Sequence, residues 1–196
     1  MVQDTFENDG RTFPRGALAI YREYYGIRPG KPNVGEEVAR EIVKREADSS
    51  TDRRERVAYG VLDPAAFAVI SGPSIAEKFL SSGVVFRRAD NSRVSIPKKI
   101  GGWSELGSRF KGDQHGNPML FVFSTCRELI RTLPMMLHDP THPEDLDTDL
   151  EDHAVDSCRY LVMSRPYRAR EQQAEIDDAR SPWLVANAFR LNELLD

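Results

Sequence analysis

The chain has 196 residues, 40% of them hydrophobic and 30% charged, with a formal net charge of −4; this balance fits one soluble globular domain long enough to bury a core. Its overall acidity argues against a free-standing, high-affinity nucleic-acid binder, and no apolar run approaches the ~20 residues that span a bilayer. The polar opening MVQDTFENDG lacks the features of a secretory leader, so the expected location is cytoplasmic and no membrane partner is expected.

In chain order, Glu7–Arg11 (ENDGR) has turn chemistry, and Ala17–Tyr25 alternates as a strand does. Val2–Phe6 is therefore expected to pair with Ala17–Tyr25 in a hairpin. Apolar residues Val34, Val38, Ile42 and Val43 recur at helical spacing within Asn33–Ala47, the pattern of an amphipathic helix. A charged loop, Asp48–Arg56, leads to a short apolar strand, Val57–Leu62. Ser74 and Glu77 stand three apart as a capping box for a helix through Leu80. Val84–Phe86 is expected as a strand. Ser92–Phe110 is irregular or helical, interrupted by Pro97 and Gly101–Gly102. Met119–Phe123 is an apolar strand, Arg127–Leu133 a helix stopped by Pro134, and His138–Asp149 a loop rich in Pro and Asp. Glu151–Ser164 is a helix, followed by a polar helix (Arg168–Arg180) and an amphipathic one (Trp183–Leu195). Strands alternating with helices predict an α/β sheet flanked by helices.

Charge is unevenly distributed. Arg87, Arg88, Arg93, Lys98, Lys99, Arg109 and Lys111 face only two acids between Phe86 and Lys111, whereas His138–Asp156 holds eight acids and no Lys or Arg. The two stretches suit a cation site beside a polyanion track, or two solvated surfaces. Asp63 falls where its strand must end, because Pro64 cannot continue the ladder. That is where open α/β sheets place ligand sites, and it is also an ordinary Asp-Pro turn. In the Glu151–Ser164 helix, Ala154, Val155, Cys158, Leu161 and Val162 share an arc of roughly 120°. Asp152, Asp156 and Arg159 fall opposite. Two carboxylates one turn apart can approach one hard cation; equally, Asp152 is a first-turn acid and Asp156 an ion-pair partner of Arg159. His153 adjoins Asp152 and can assist it. His115, His138 and His142 lack zinc-ligand spacing, Cys126 and Cys158 suit buried free thiols, and there is no P-loop.

Taken in order, PRGALAIYREYYG, PNVGEEVAREIV, YGVLDPAAF, IAEKFLSSGVVFRRADNSRV, LFVFSTCRELIRTLP and DLDTDLEDHAVDSCRYLVMSRP resemble the C-terminal nuclease domain of tailed-bacteriophage terminase large subunits, the DNA-packaging motors. The resemblance runs from about Phe13 to Pro166. It implies an RNase H-like mixed sheet over 1–166, a helical tail over 167–196, and cleavage of double-stranded concatemeric DNA with two divalent metals, Mg²⁺ or Mn²⁺. By position, Asp63 corresponds to the second catalytic acid and Asp152 to the third, with Asp156 as a supporting metal ligand. Arg87, Arg88, Arg93, Lys98 and Lys99 become candidate DNA contacts. The implied partners are phage DNA, the terminase ATPase domain, the portal and the small terminase subunit, in a bacterial host cell.

The family's first acid lies on a strand just before the hairpin. Here Asp4 and Asp9 sit too near the turn to replace it, and the expectation is a domain truncated at its first strand. Two acids of three would bind metal weakly. The alternative is therefore a catalytically incomplete fragment acting only as a DNA- or portal-binding module.

Overall fold

The computed structural model describes residues 1–26, 35–48, 53–54, 57–69, 71–147 and 149–167. The expected helices Arg168–Arg180 and Trp183–Leu195 lie outside these residues, as do the first residues of the Asn33–Ala47 helix and most of the Asp48–Arg56 loop. The chain divides into two compact units, Met1–Arg165 and Pro166–Asp196; everything below concerns the first.

The unit is mixed α/β, with small parallel and antiparallel sheets flanked by helices. It opens with a hairpin of β1 (Phe6–Asn8) and β2 (Arg11–Phe13) in antiparallel register. Asp9 and Gly10 form the two-residue loop with φ of 48° and 69°, the left-handed pair that a type I′ turn requires and that Asp-Gly supplies at low cost. The turn is thus tighter than the five-residue ENDGR reading, and it pairs β1 with β2. Ala17–Tyr25 is not the partner across that turn; it meets the N-terminal segment at Val2, whose N–H donates to the Ala17 carbonyl at 2.8 Å and whose carbonyl accepts from the Gly16 N–H at 2.9 Å. The strand within it shrinks to β3 (Leu18–Ile20), which pairs in parallel with β8 (Leu120–Val122) a hundred residues on. Phe6 stacks on Phe13 at 4.8 Å and Phe13 on Phe121 at 4.4 Å, docking the hairpin onto β8.

Helix α1 (Gly35–Glu46) follows, and then a two-residue pairing of β4 (Ala47–Asp48) with β5 (Arg53–Arg54). β6 (Gly60–Leu62) runs parallel to β7 (Phe86–Arg88), with Gly60 opposite Phe86 and Leu62 opposite Arg88. A Cβ at residue 60 would stand 2.6 Å from the Phe86 ring, so only glycine lets that ring lie over β6. Between the two strands come a 3-10 turn (Pro64–Phe67) and α2 (Ile75–Ser81). The Ser74–Glu77 capping box forms as the spacing predicts, with both reciprocal bonds present. Instead of one continuous sheet, the described strands make four two-stranded pairs.

The Gly101–Gly102 pair does not interrupt a helix; it starts α3 (Gly102–Lys111). A Cβ on Gly101 would lie 2.2 Å from the Val94 carbonyl carbon, and one on Gly102 would lie 2.3 Å from Cγ of Arg159. Both glycines are there because other atoms occupy the space. After β8 come α4 (Arg127–Thr132), a 3-10 turn through Pro134, and α5 (His153–Met163). Ala154, Val155, Cys158 and Val162 of α5 are buried with Leu18, Leu106, Leu120, Cys126 and Leu129 in the main core. A second core joins Ala39, Phe79 and Val84. Each buried Val, Leu or Phe of these cores contributes roughly 1.5–3 kcal/mol, and each alanine less. Both cysteines are free and buried, and burial pushes the Cys158 thiol up to about 12. No helix among the described residues is long and apolar enough to cross a membrane.

Candidate functional site

β6 ends at Asp63, and α5 crosses beside it. Together they line a cavity of about 390 Å³ with Val61, Leu62, Asp63, His153, Asp156, Ser157 and Tyr160 on its wall. Two of the acids singled out from the sequence, ninety-three positions apart, therefore line one cavity. Asp63 does two things there. Its Oδ1 accepts from the Ala65 backbone N–H at 2.7 Å, capping the 3-10 turn. Its Oδ2 accepts a short hydrogen bond from the Tyr160 hydroxyl. That bond and burial raise the Tyr160 pKa well above the usual phenol range, burial contributing most.

Asp152 does not line this cavity. It precedes the first residue of α5, makes no side-chain capping bond, and stands 3.7 Å from Nδ1 of His153. Its carboxyl pKa is raised, first by burial and then by repulsion from Asp156. Of the two α5 acids, Asp156 is the one that shares the wall of this cavity with Asp63, although position along the sequence favours Asp152.

Asp156 is also paired internally. Nε and Nη2 of Arg159 donate to its Oδ1 at 3.0 and 2.9 Å, and Nη1 of Arg93 lies 3.9 Å from the same oxygen. Among the described residues all these cations converge on Oδ1. Arg159 is 1% exposed, contrary to the solvent face its helical angle suggests, because α3 covers that side of α5. Its Nη1 donates to the Asn91 carbonyl at 2.9 Å, and its guanidinium lies 5.0 Å from the Trp103 ring.

The candidate DNA contacts divide into two groups. Arg93 is half-buried and paired within the fold: Nε donates to Asp145 at 2.8 and 2.9 Å, Nη2 donates to the Leu146 carbonyl at 2.9 Å, and the guanidinium lies 5.2 Å from the Trp103 ring. Its donors serve the acidic loop, so a phosphate contact is the role least suited to it. Lys99 is exposed and paired with Asp90 at 3.1 Å. Lys98 is exposed at a turn with φ of 67°. Arg87 and Arg88 are exposed at the end of β7. Nη1 of Arg88 donates to the Pro64 carbonyl at 3.2 Å, beside Asp63, with Phe67 under its guanidinium at 4.6 Å.

Within the acidic loop, Asp145 is bound rather than solvated. Asp145 accepts from Trp103 Nε1 at 2.6 Å, from Arg93, and from the Leu146 N–H at 2.8 Å. Burial pushes its carboxyl up, but these hydrogen bonds outweigh it and leave the pKa below the ordinary carboxylate range. A depressed folded-state pKa contributes stability that is present above the unfolded value of ~3.9 and is lost as pH falls through the folded value. Asp145→Asn is expected to lower the melting temperature at pH 7 and to flatten its decline below about pH 4. Parallel acid limbs for wild type and variant, followed by circular dichroism, would exclude Asp145 as a source of that acid sensitivity.

Tyr160, Trp103 and Asp145 were not singled out as partners from the sequence, whereas the Asp156–Arg159 ion pair was, and it forms. The Arg-Tyr pair closing the DHxxDxxRY stretch was the available signal. Among the described residues no three His, Cys, Asp or Glu side chains form a group able to hold a metal ion. Asp63 and Asp156 supply hard oxygen donors, and Mg²⁺ is commonly held by one or two carboxylates together with waters and substrate phosphate, so the donor set fits one such ion. Compared with models of known protein families, with curated proteins and with solved structures, the chain matches none.

Proposed function

We propose that this chain is the nuclease domain of a tailed-bacteriophage terminase large subunit, of RNase H-like fold, acting on double-stranded DNA. The observation that carries the reading is the meeting of Asp63, at the end of β6, with Asp156 of α5 in one cavity. It adds to the ordered sequence resemblance. Asp63 and Asp156 would hold Mg²⁺ or Mn²⁺, and Asp152 would act beside them through its negative charge. Such an ion supplies Lewis acidity to a phosphodiester and acidity to a water.

The chain's own residues do the rest. Tyr160 orients the Asp63 carboxylate through its hydroxyl, and Arg159 does the same for Asp156. Arg88, next to Asp63, is placed to neutralise a phosphate. Packaging partners (the ATPase domain, the portal and the small subunit) and a host-cell location belong to the same reading.

Plasmid cleavage with Mn²⁺ tests it. Wild type is expected to nick supercoiled DNA with Mn²⁺ and not with EDTA, and Asp63→Ala to reduce the rate at least ~100-fold, the loss of several kcal/mol of charge stabilisation. Equal cleavage by both would remove Asp63 from the site.

A second reading is a module that binds DNA or the portal without cutting. What favours it is that both acids already have intramolecular partners, Tyr160 and Arg159. DNA binding with no Mn²⁺-dependent cleavage would select it.

A further inference from the structure

Beyond the cavity, a second arrangement uses two arginines that the site does not. Tyr59, just before β6, donates its hydroxyl to the Ser164 carbonyl at 3.2 Å, tying β6 to the end of α5. Over its ring lie two guanidinium groups from different elements: Arg87 of β7, with its central carbon 4.8 Å from the centroid, and Arg165, just past α5, at 4.5 Å. The Arg165 carbonyl is in turn held by the buried guanidinium of Arg109. Among the described residues neither Arg87 nor Arg165 has a carboxylate within ion-pair distance. By contrast, Arg45, Arg93, Arg131 and Arg159 all have one.

An arginine after a helix C-terminus is explained by the helix dipole. A second one brought to the same ring by a strand is not, and two positive charges at one ring raise the local potential in favour of an anion beside them. Cation–π contact holds each in place at about 0.5–1 kcal/mol at an exposed site, so the pair is pre-organised for an oxyanion that can take several N–H donors. A cavity of about 640 Å³ opens beside Tyr59 and Arg87, with Glu46 also on its wall.

We infer that Arg87 and Arg165, on the Tyr59 platform, form a clamp for one phosphodiester group of a nucleic-acid backbone. Choosing a phosphodiester over a carboxylate rests on the DNA-directed reading above. Tyr59 and Asp63 are four residues apart along an extended segment, no more than about 13 Å at strand rise. A phosphate clamped at Tyr59 thus lies close to the Asp63 cavity and helps to set the register of the backbone across it.

The test is binding of a labelled DNA duplex in EDTA, so that no cleavage chemistry enters. Arg87→Ala/Arg165→Ala is expected to bind at least ~10-fold more weakly, with the slope of log affinity against log salt reduced by about 1, one phosphate's worth. The charge-matched Arg11→Ala/Arg15→Ala variant at the N-terminal hairpin is expected to change little. Tyr59→Leu keeps both charges and is expected to lose affinity as well, which a diffuse charge effect would not produce. If the alanine pair fails to fold, Arg87→Lys/Arg165→Lys keeps the charge, loses the planar fork, and is expected to bind more weakly than wild type. Equal losses in the clamp and hairpin variants, or full affinity in Tyr59→Leu, would overturn the clamp. Inorganic phosphate that displaces the duplex from wild type at matched ionic strength would reassign it to a free anion and overturn the backbone assignment. Wild type that binds through the clamp yet does not cut with Mn²⁺ would sink the nuclease reading and leave the clamp intact.

Discussion

Replacing Arg159 with alanine is expected to destabilise the protein by about 3 kcal/mol, the low end of the range for breaking one side of a buried ion pair, because the Asp156 side chain left behind is 22% exposed. The side chain is 2% exposed and serves three neighbours. It pairs with Asp156, donates to the Asn91 carbonyl, and lies against Trp103. Truncation leaves the Asp156 carboxylate without its main counter-charge, a carbonyl without its donor, and a void beside Gly102, which lacks the side chain to fill it. Arg159→Lys keeps the charge but cannot reach several acceptors with a planar fork, so a smaller loss is expected. Urea unfolding of the three proteins measures this. A shift below about 1 kcal/mol for Arg159→Ala would mean that α3 and α5 pack without the arginine.

The second large effect separates the two acids of the α5 start. Asp156→Asn is expected to lower Mn²⁺-dependent cleavage at least ~100-fold, while Asp152→Asn costs no more than about 10-fold, the scale of a supporting residue. Asparagine keeps the shape of the side chain and an acceptor for Arg159, which limits damage to the fold. Calorimetric titration with Mn²⁺ provides a second reading: binding should weaken in Asp156→Asn more than in Asp152→Asn. The reverse order would return the role to Asp152, whose carboxyl is already biased toward its neutral form by burial and by Asp156.

Local features of the chain were legible before the fold. The capping box at Ser74 and Glu77 needs only residues three apart, and the burial of Ala154, Val155, Cys158 and Val162 follows from a single helical period. Asp-Gly announced the turn at Asp9 and Gly10, although the strands it joins are shorter than alternation suggests. Asp63 ends its strand beside Pro64, as the ladder chemistry requires.

What concerned distant segments was not legible in this way. Parallel pairing of β3 with β8 joins residues a hundred positions apart, and no turn sets their register. Arg93 looked like an exposed cation because nothing in its own segment predicts Asp145 or Trp103 over it. Arg159 looked solvent-facing because helical angle alone does not say whether a second helix covers that face. The sequence by itself determined α1, α2, α4 and α5, the Ser74 cap and a short list of acids and cations, since these depend on neighbours along the chain. Only the tertiary structure decided that Asp156 rather than Asp152 shares a cavity wall with Asp63, and that Arg87 and Arg165 share one ring while the Arg93 donors are taken up by Asp145 and Leu146. Those outcomes depend on which elements pack together, and a side chain's partners across the fold carry no signature in the residues beside it.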